Sequence, residues 1–179
     1  SRRVSSQEVL AAMGIAALNH TREVKAGDVV FAPTELLCPG LKRLLDVRRV
    51  VGLRNSAHSL VKLMNVCSGN SLLVSSYTHP EYAISMAKTL ELIGSNALLL
   101  RGTEGEAVAD ARRMPQIDAL LDGVRSCLVA PQIGPLTELP QIPTQIDEIS
   151  TAQYTQAVLN RELPIPKPIA RQVQAILRI

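Results

Sequence analysis

The stretch from Ser71 to Leu100 constrains the fold more than any other part of the chain. Thr78 and Glu81 have the spacing of a capping box, and Pro80 falls in the first turn, where a missing N–H costs little. Apolar side chains recur at Tyr82, Ala83, Met86, Ala87, Leu90 and Ile93 as a helical stripe. Gly94 then stands where a left-handed terminating residue is wanted. Short apolar runs at 71–75 and 97–100 flank this helix. Strand, capped helix and strand in so short a span predict a βαβ unit with a right-handed crossover.

Other segments fit the same class. Residues 29–32 read as a strand ending at Pro33, and 125–130 as another ending at Pro131. Helical patterns cover 4–14, 40–51, 56–65, 151–161 and 169–179, while 131–143 is punctuated by Pro and Gly. The expected fold is α/β, a mostly parallel sheet flanked by helices. Length and composition suit one domain: 179 residues, 46% hydrophobic and 20% charged, too apolar for a disordered chain. No apolar run approaches the length of a membrane span. The chain opens without Met, inside a helical pattern, and its last helix runs to Ile179, so it reads as a piece of a longer protein.

Cys38, Cys67 and Cys127 are an odd, widely spaced set without a CxxC pair, which argues against a disulfide framework or zinc site. A reduced, cytoplasmic setting is the expectation. With no Trp, one Phe and three Tyr, base stacking on aromatic platforms is disfavoured. The net charge of +3 is unevenly spread. Lys42, Arg43, Arg48, Arg49, Arg54 and Lys62 stand close together, opposed only by Glu35 and Asp46. Such a segment suits contacts to phosphates that position a nucleic-acid backbone without reading sequence. A solvated helix face is the ordinary alternative.

Phe31-Ala32-Pro33, Pro39, Lys42, Val47-Arg48, Gly52 and Arg54 occur in an order that resembles the anthranilate phosphoribosyltransferase family, the family-three glycosyltransferases. There the patterns F-A-P, H-P-x-x-K, V-R and L-G-x-R-T follow one another. The opening RRVSSQEVLAAMG is similar to that family's N-R-x-V-S-S helix, and 71–106 to its strand, helix, strand and acidic loop. The resemblance runs from about residue 2 to 129 and covers only the second half of a family member, without the N-terminal helical domain. Departures accompany it. Cys38 replaces a pocket His, and Asn55-Ser56-Ala57-His58 replaces the T-x-F-N run. With Leu53-Arg54-Asn55 and LLLRGTEGE, these departures resemble the non-biosynthetic paralogues of the YbiB class.

That resemblance implies a phosphoribosyltransferase fold reused for sequence-independent nucleic-acid binding, DNA or RNA, in a homodimer without membrane attachment. The alternative it leaves open is a phosphoribosyltransferase acting on an unknown acceptor with phosphoribosyl pyrophosphate. In that case Ser5, Ser6 and Arg54 are its substrate contacts. Glu104 and Glu106 would hold Mg2+ on the pyrophosphate, although a plain acidic loop is the ordinary reading of such a pair. His58 and His79 have no triad partners and read as structural.

Overall fold

The computed structural model describes residues 4–103, 105–136 and 139–179. In chain order the helices are α1 (Ser6–Ala12), α2 (Thr34–Leu37), α3 (Pro39–Val51), α4 (Ala57–Leu60), α5 (Pro80–Leu92), α6 (Glu148–Leu159) and α7 (Lys167–Ile176). The strands are β1 (Leu73–Tyr77), β2 (Ala97–Arg101), β3 (Ile117–Leu121) and β4 (Val124–Val129), and a 3-10 turn covers Val61–Leu63. These elements divide into two compact units, interleaved in sequence. One comprises residues 1–61 and 141–164, the other 62–140 and 165–179.

The second unit carries the sheet, in the order β1-β2-β3-β4. The βαβ expectation holds: β1 and β2 are parallel, Leu73 opposite Ala97 through Tyr77 opposite Arg101, with α5 between them in sequence. The α/β class stands, but the sheet is mixed rather than mostly parallel, because β2–β3 and β3–β4 are antiparallel. For β3 and β4 the reason lies in Asp122-Gly123. Both take positive φ, 51° and 76°, the two-residue hairpin turn that joins only antiparallel neighbours.

Alternation along β2 explains the layers. Ala97 and Leu99 pack with Met86, Ala87 and Leu90 of α5, and with Leu120. Leu98 and Leu100 face the other way, against Ile117, Ala119, Met114 and Ala175 of α7. A strand covered on both sides is apolar throughout, which is why β2 reads as an unbroken run. Each fully buried leucine contributes about 1.5–3 kcal/mol.

The helix caps differ from expectation at one point. α5 begins at Pro80, so its cap is His79, with no side-chain hydrogen bond, and the Thr78–Glu81 capping box does not form. Pro80 forces the residue before it into extended backbone, φ −111° and ψ 136°, which fixes the cap at His79. The other end is as anticipated. Gly94 adopts φ +64°, its N–H reaches the Glu91 carbonyl, and Ser95 N–H reaches Leu90.

In the first unit, α1 packs against α6 and α2 adjoins α3. The expected strand at 29–32 is reduced to one bridge, Phe31 to Ala17. Among the described residues of this unit no further strand pairs with it, and Val29 stays exposed. The helix expected over 56–65 breaks after Leu60 into the 3-10 turn. There the Lys62 carbonyl accepts the Ser75 hydroxyl of β1 at 2.7 Å and is lost to a regular helix. The predicted helices at 151–161 and 169–179 begin earlier, at Glu148 and Lys167. Asp147 caps the former by accepting the Ser150 N–H at 2.7 Å.

Candidate functional site

The basic residues picked out by sequence fall into three structural situations. Lys42 pairs with Asp46 one turn on, and Arg49 approaches the same carboxylate at 3.6 Å. The Lys42 ammonium holds the Asp46 carboxyl below its ordinary range, with Arg49 contributing. These three share one face of α3, so a single carboxylate offsets part of two cations. Arg43, Arg48 and Arg54 differ: all three are exposed, and none has an ion-pair or hydrogen-bond partner among the described residues. At about 100° per residue, Arg43 and Arg48 flank the solvent face of α3. Leu44, Val47 and Val51 lie between them and are exposed.

Lys62 belongs to the other unit and is diverted from solvent. Its Nζ donates to the Ser76 carbonyl at 2.9 Å, at the end of β1. Asn55 ties the turn after α3 in place: its side-chain N–H donates to the Leu44 carbonyl at 2.7 Å. Its Oδ1 accepts from Ala57 N–H, and the His58 ring closes on the Asn55 backbone, a structural role as expected. Arg54 is thereby held just ahead of a pinned residue. His79 contacts the Tyr82 ring, centroids 6.1 Å apart.

The residues implied as substrate contacts are engaged locally. Ser5 caps α1 through a reciprocal box: its N–H donates to Glu8 Oε2 at 2.8 Å, and its Oγ accepts the Glu8 N–H at 3.3 Å. Ser6 is the first helical residue. Arg2 and Glu104 lie outside the described residues. The Glu106 carboxylate accepts both the N–H and the hydroxyl of Thr103, at 3.1 and 2.5 Å, closing its own loop. Ser76 Oγ donates to the Gly105 carbonyl at 3.1 Å, anchoring that loop to β1. Among the described residues no group of three His, Cys, Asp or Glu side chains is placed to hold a metal.

A cleft of about 490 Å³ opens at the carboxyl ends of β1 and β2, which sequence reading did not single out. Tyr77, Thr78, Arg101, Arg113, Met114 and Pro131 are among its lining residues. Arg113 Nη1 donates to the carbonyls of Gln132 at 3.4 Å and Gly134 at 2.9 Å, so the guanidinium is fixed. Arg101 is exposed, with no carboxylate partner among the described residues. Burial pushes the Tyr77 phenol up, Asp118 adds to this, and Arg101 and Arg125 oppose it. The signal available in sequence was an arginine ending an all-apolar strand.

Fold and geometry define an α/β protein with a cationic helix face and a cleft lined by arginines. No family model matches the chain. It is 36% identical over 181 residues to the uncharacterized protein YbiB of Escherichia coli (strain K12), across 98% of this chain. The chain spans about half of that relative, 56% of its length. Among the described residues no helix is long and apolar enough to cross a membrane.

Proposed function

We propose that this chain is part of a protein that binds nucleic acid through its phosphate backbone, without sequence preference. The observation that carries the reading is the trio Arg43, Arg48 and Arg54, exposed and unpaired among the described residues along and just beyond one helix. Guanidinium groups held at a surface without counter-charge suit phosphate oxygens, and their contacts release counterions. The motif blocks shared with the anthranilate phosphoribosyltransferase family, and the similarity to YbiB, support placing the chain in that superfamily as a non-biosynthetic member. In a homodimer two such faces would add their fields.

The alternative, a phosphoribosyltransferase using magnesium, draws less support. Ser5 is taken up by a helix cap, and the Glu106 carboxylate by Thr103.

Fluorescence-polarisation titration of labelled oligonucleotides at several salt concentrations tests the reading. Each arginine that contacts a phosphate should carry about 0.7 of log–log salt slope on single strands and about 0.9 on duplex. Arg43→Ala with Arg48→Ala should therefore flatten the slope by about twice that, whereas Lys42→Ala should change it less, because Asp46 already offsets Lys42. Unchanged affinity and slope in the double variant and in Arg54→Ala would mean that the segment is only a solvated face.

A further inference from the structure

We infer that the exposed face of α3 docks an amphipathic helix of another protein, one whose apolar stripe is bordered by carboxylates. The docking is independent of the proposed nucleic-acid binding; only its competition with nucleic acid rests on that reading. Phosphate contacts would use the arginines of this face and leave its apolar side chains wet. Leu44, Val47 and Val51 are 54%, 42% and 59% exposed, and Val50 and Leu53 extend the patch. An exposed apolar surface rimmed by charge marks a protein-binding site.

The spacing specifies the shape of the partner. Leu44, Val47 and Val51 stand three and four residues apart, the a, d, a rhythm of a coiled-coil seam. In that frame Arg43 takes a g position and Arg48 an e position, one on each side of the seam. Lys42, Leu45 and Asp46 lie on the opposite side and are half-buried, so the seam is the side that α3 leaves uncovered. At 13 residues α3 is about 20 Å long, room for nearly two heptads of a partner helix.

Charge selects the chemistry of that partner. Arg43 and Arg48 have no ion-pair partner among the described residues, whereas Lys42 and Arg49 share Asp46 on the far side. A second copy of α3 is excluded by sign. Parallel pairing sets e against g, and antiparallel pairing sets e against e and g against g, arginine on arginine either way. Nor does this chain hold the matching stripe, since among the described residues no helix carries more than two carboxylates. A helix with Glu or Asp at its e and g positions meets both arginines, and branched apolar residues at a and d cover the seam. Such a helix takes up Arg43 and Arg48, and so competes with nucleic acid for α3.

The test uses the whole protein and a synthetic four-heptad peptide with Leu at a and d and Glu at e and g. A peptide with Lys in place of Glu is the control. Calorimetry should show saturable binding of the Glu peptide and none of the Lys peptide. Leu44→Gln with Val47→Gln, both exposed positions where Gln keeps the helix, should weaken peptide binding at least about tenfold with the circular dichroism spectrum unchanged. The same pair should leave the salt slope of oligonucleotide binding as it was, whereas Arg43→Ala with Arg48→Ala should weaken both ligands. Added Glu peptide should release labelled oligonucleotide in the polarisation assay. Absence of saturable Glu-peptide binding would overturn the inference, as would equal binding of the Lys peptide or undiminished binding by the Gln pair. Protection of Leu44 and Val47 from hydroxyl-radical labelling in the protein alone would also overturn it, because a second copy or another part of the same protein then covers the face. Binding to phosphatidylglycerol vesicles that the Gln pair abolishes, without peptide binding, would give the face to a lipid surface instead. No nucleic acid enters the calorimetry, so peptide binding without oligonucleotide binding would sink the nucleic-acid reading alone.

Discussion

Lys62 spends its ammonium on the Ser76 carbonyl and its own carbonyl on the Ser75 hydroxyl, so both ends of one residue serve β1. Replacing it with Met should leave the Ser76 carbonyl short of a partner and cost about 1–3 kcal/mol, read as a lower urea midpoint. A variant as stable as the parent would place Lys62 back among surface cations. Gly102 is constrained differently: a Cβ there would lie 2.6 Å from the Glu106 carbonyl oxygen and 3.1 Å from the Ser76 Cβ. Backbone cannot yield as a side-chain tip does, so Gly102→Ala should destabilise by about 1–3 kcal/mol in the same measurement. At this scale sequence reading recovered charges but not their employment. It saw six cations, and only the structure separates Arg43, Arg48 and Arg54 from Lys42 and Arg49, which share Asp46, and from Lys62, which is tied to Ser76.

Among the elements, α5 and β2 were legible because their patterns are local: a 3.6-residue stripe ending at glycine, and an apolar run of strand length. β3 was not. Its burial is continuous rather than alternating, and Asp118 in its middle, 4% exposed, looks out of place in a strand. The partner that makes it tolerable is nonlocal in pattern: Arg125 of β4 donates from Nε and Nη2 to one carboxylate oxygen at 3.1 and 2.6 Å, while Gln116 takes the other. The usable clue was Asp122-Gly123, the strongest short hairpin signal. Gly123 sits at φ +76°, so Gly123→Ala should cost about 1 kcal/mol in thermal or urea unfolding. No loss would mean that the turn relaxes to another type.

For the whole molecule, the two units differ in what they bury. Among the described residues nearly all the buried apolar side chains belong to the second unit, whereas the first buries Pro33, Ala57 and Ala152 and exposes Val24, Leu44, Val50 and Leu53. Sequence composition promised a core large enough for one domain and had no means of showing where it lies. Acid should act on both units through carboxylates held below their ordinary value of 3.8. Asp110 is lowered chiefly by its hydrogen bond from Arg112. A group depressed in the folded state gives stability above its unfolded value and loses it as pH falls through the folded one. The melting temperature should thus decline below about pH 4, and Asp110→Asn should flatten that decline. An identical pH profile in the variant would remove Asp110 from the account.

Gln172 on α7 reaches across 63 residues to accept the Ala109 N–H at 2.7 Å, and donates to the Ala107 carbonyl at 2.8 Å. Its amide behaves like a borrowed stretch of strand, satisfying a backbone donor and acceptor that nothing nearer provides. During synthesis this has a temporal consequence. β1 to β4 emerge from the ribosome as a sheet whose Leu98, Leu100 and Ile117 face awaits Ala175 and Ile176. The residues of the first unit at 141–164 must be made in between. The nascent sheet therefore waits with one face wet, and this interval is when the chain is most exposed to aggregation and to capture by chaperones.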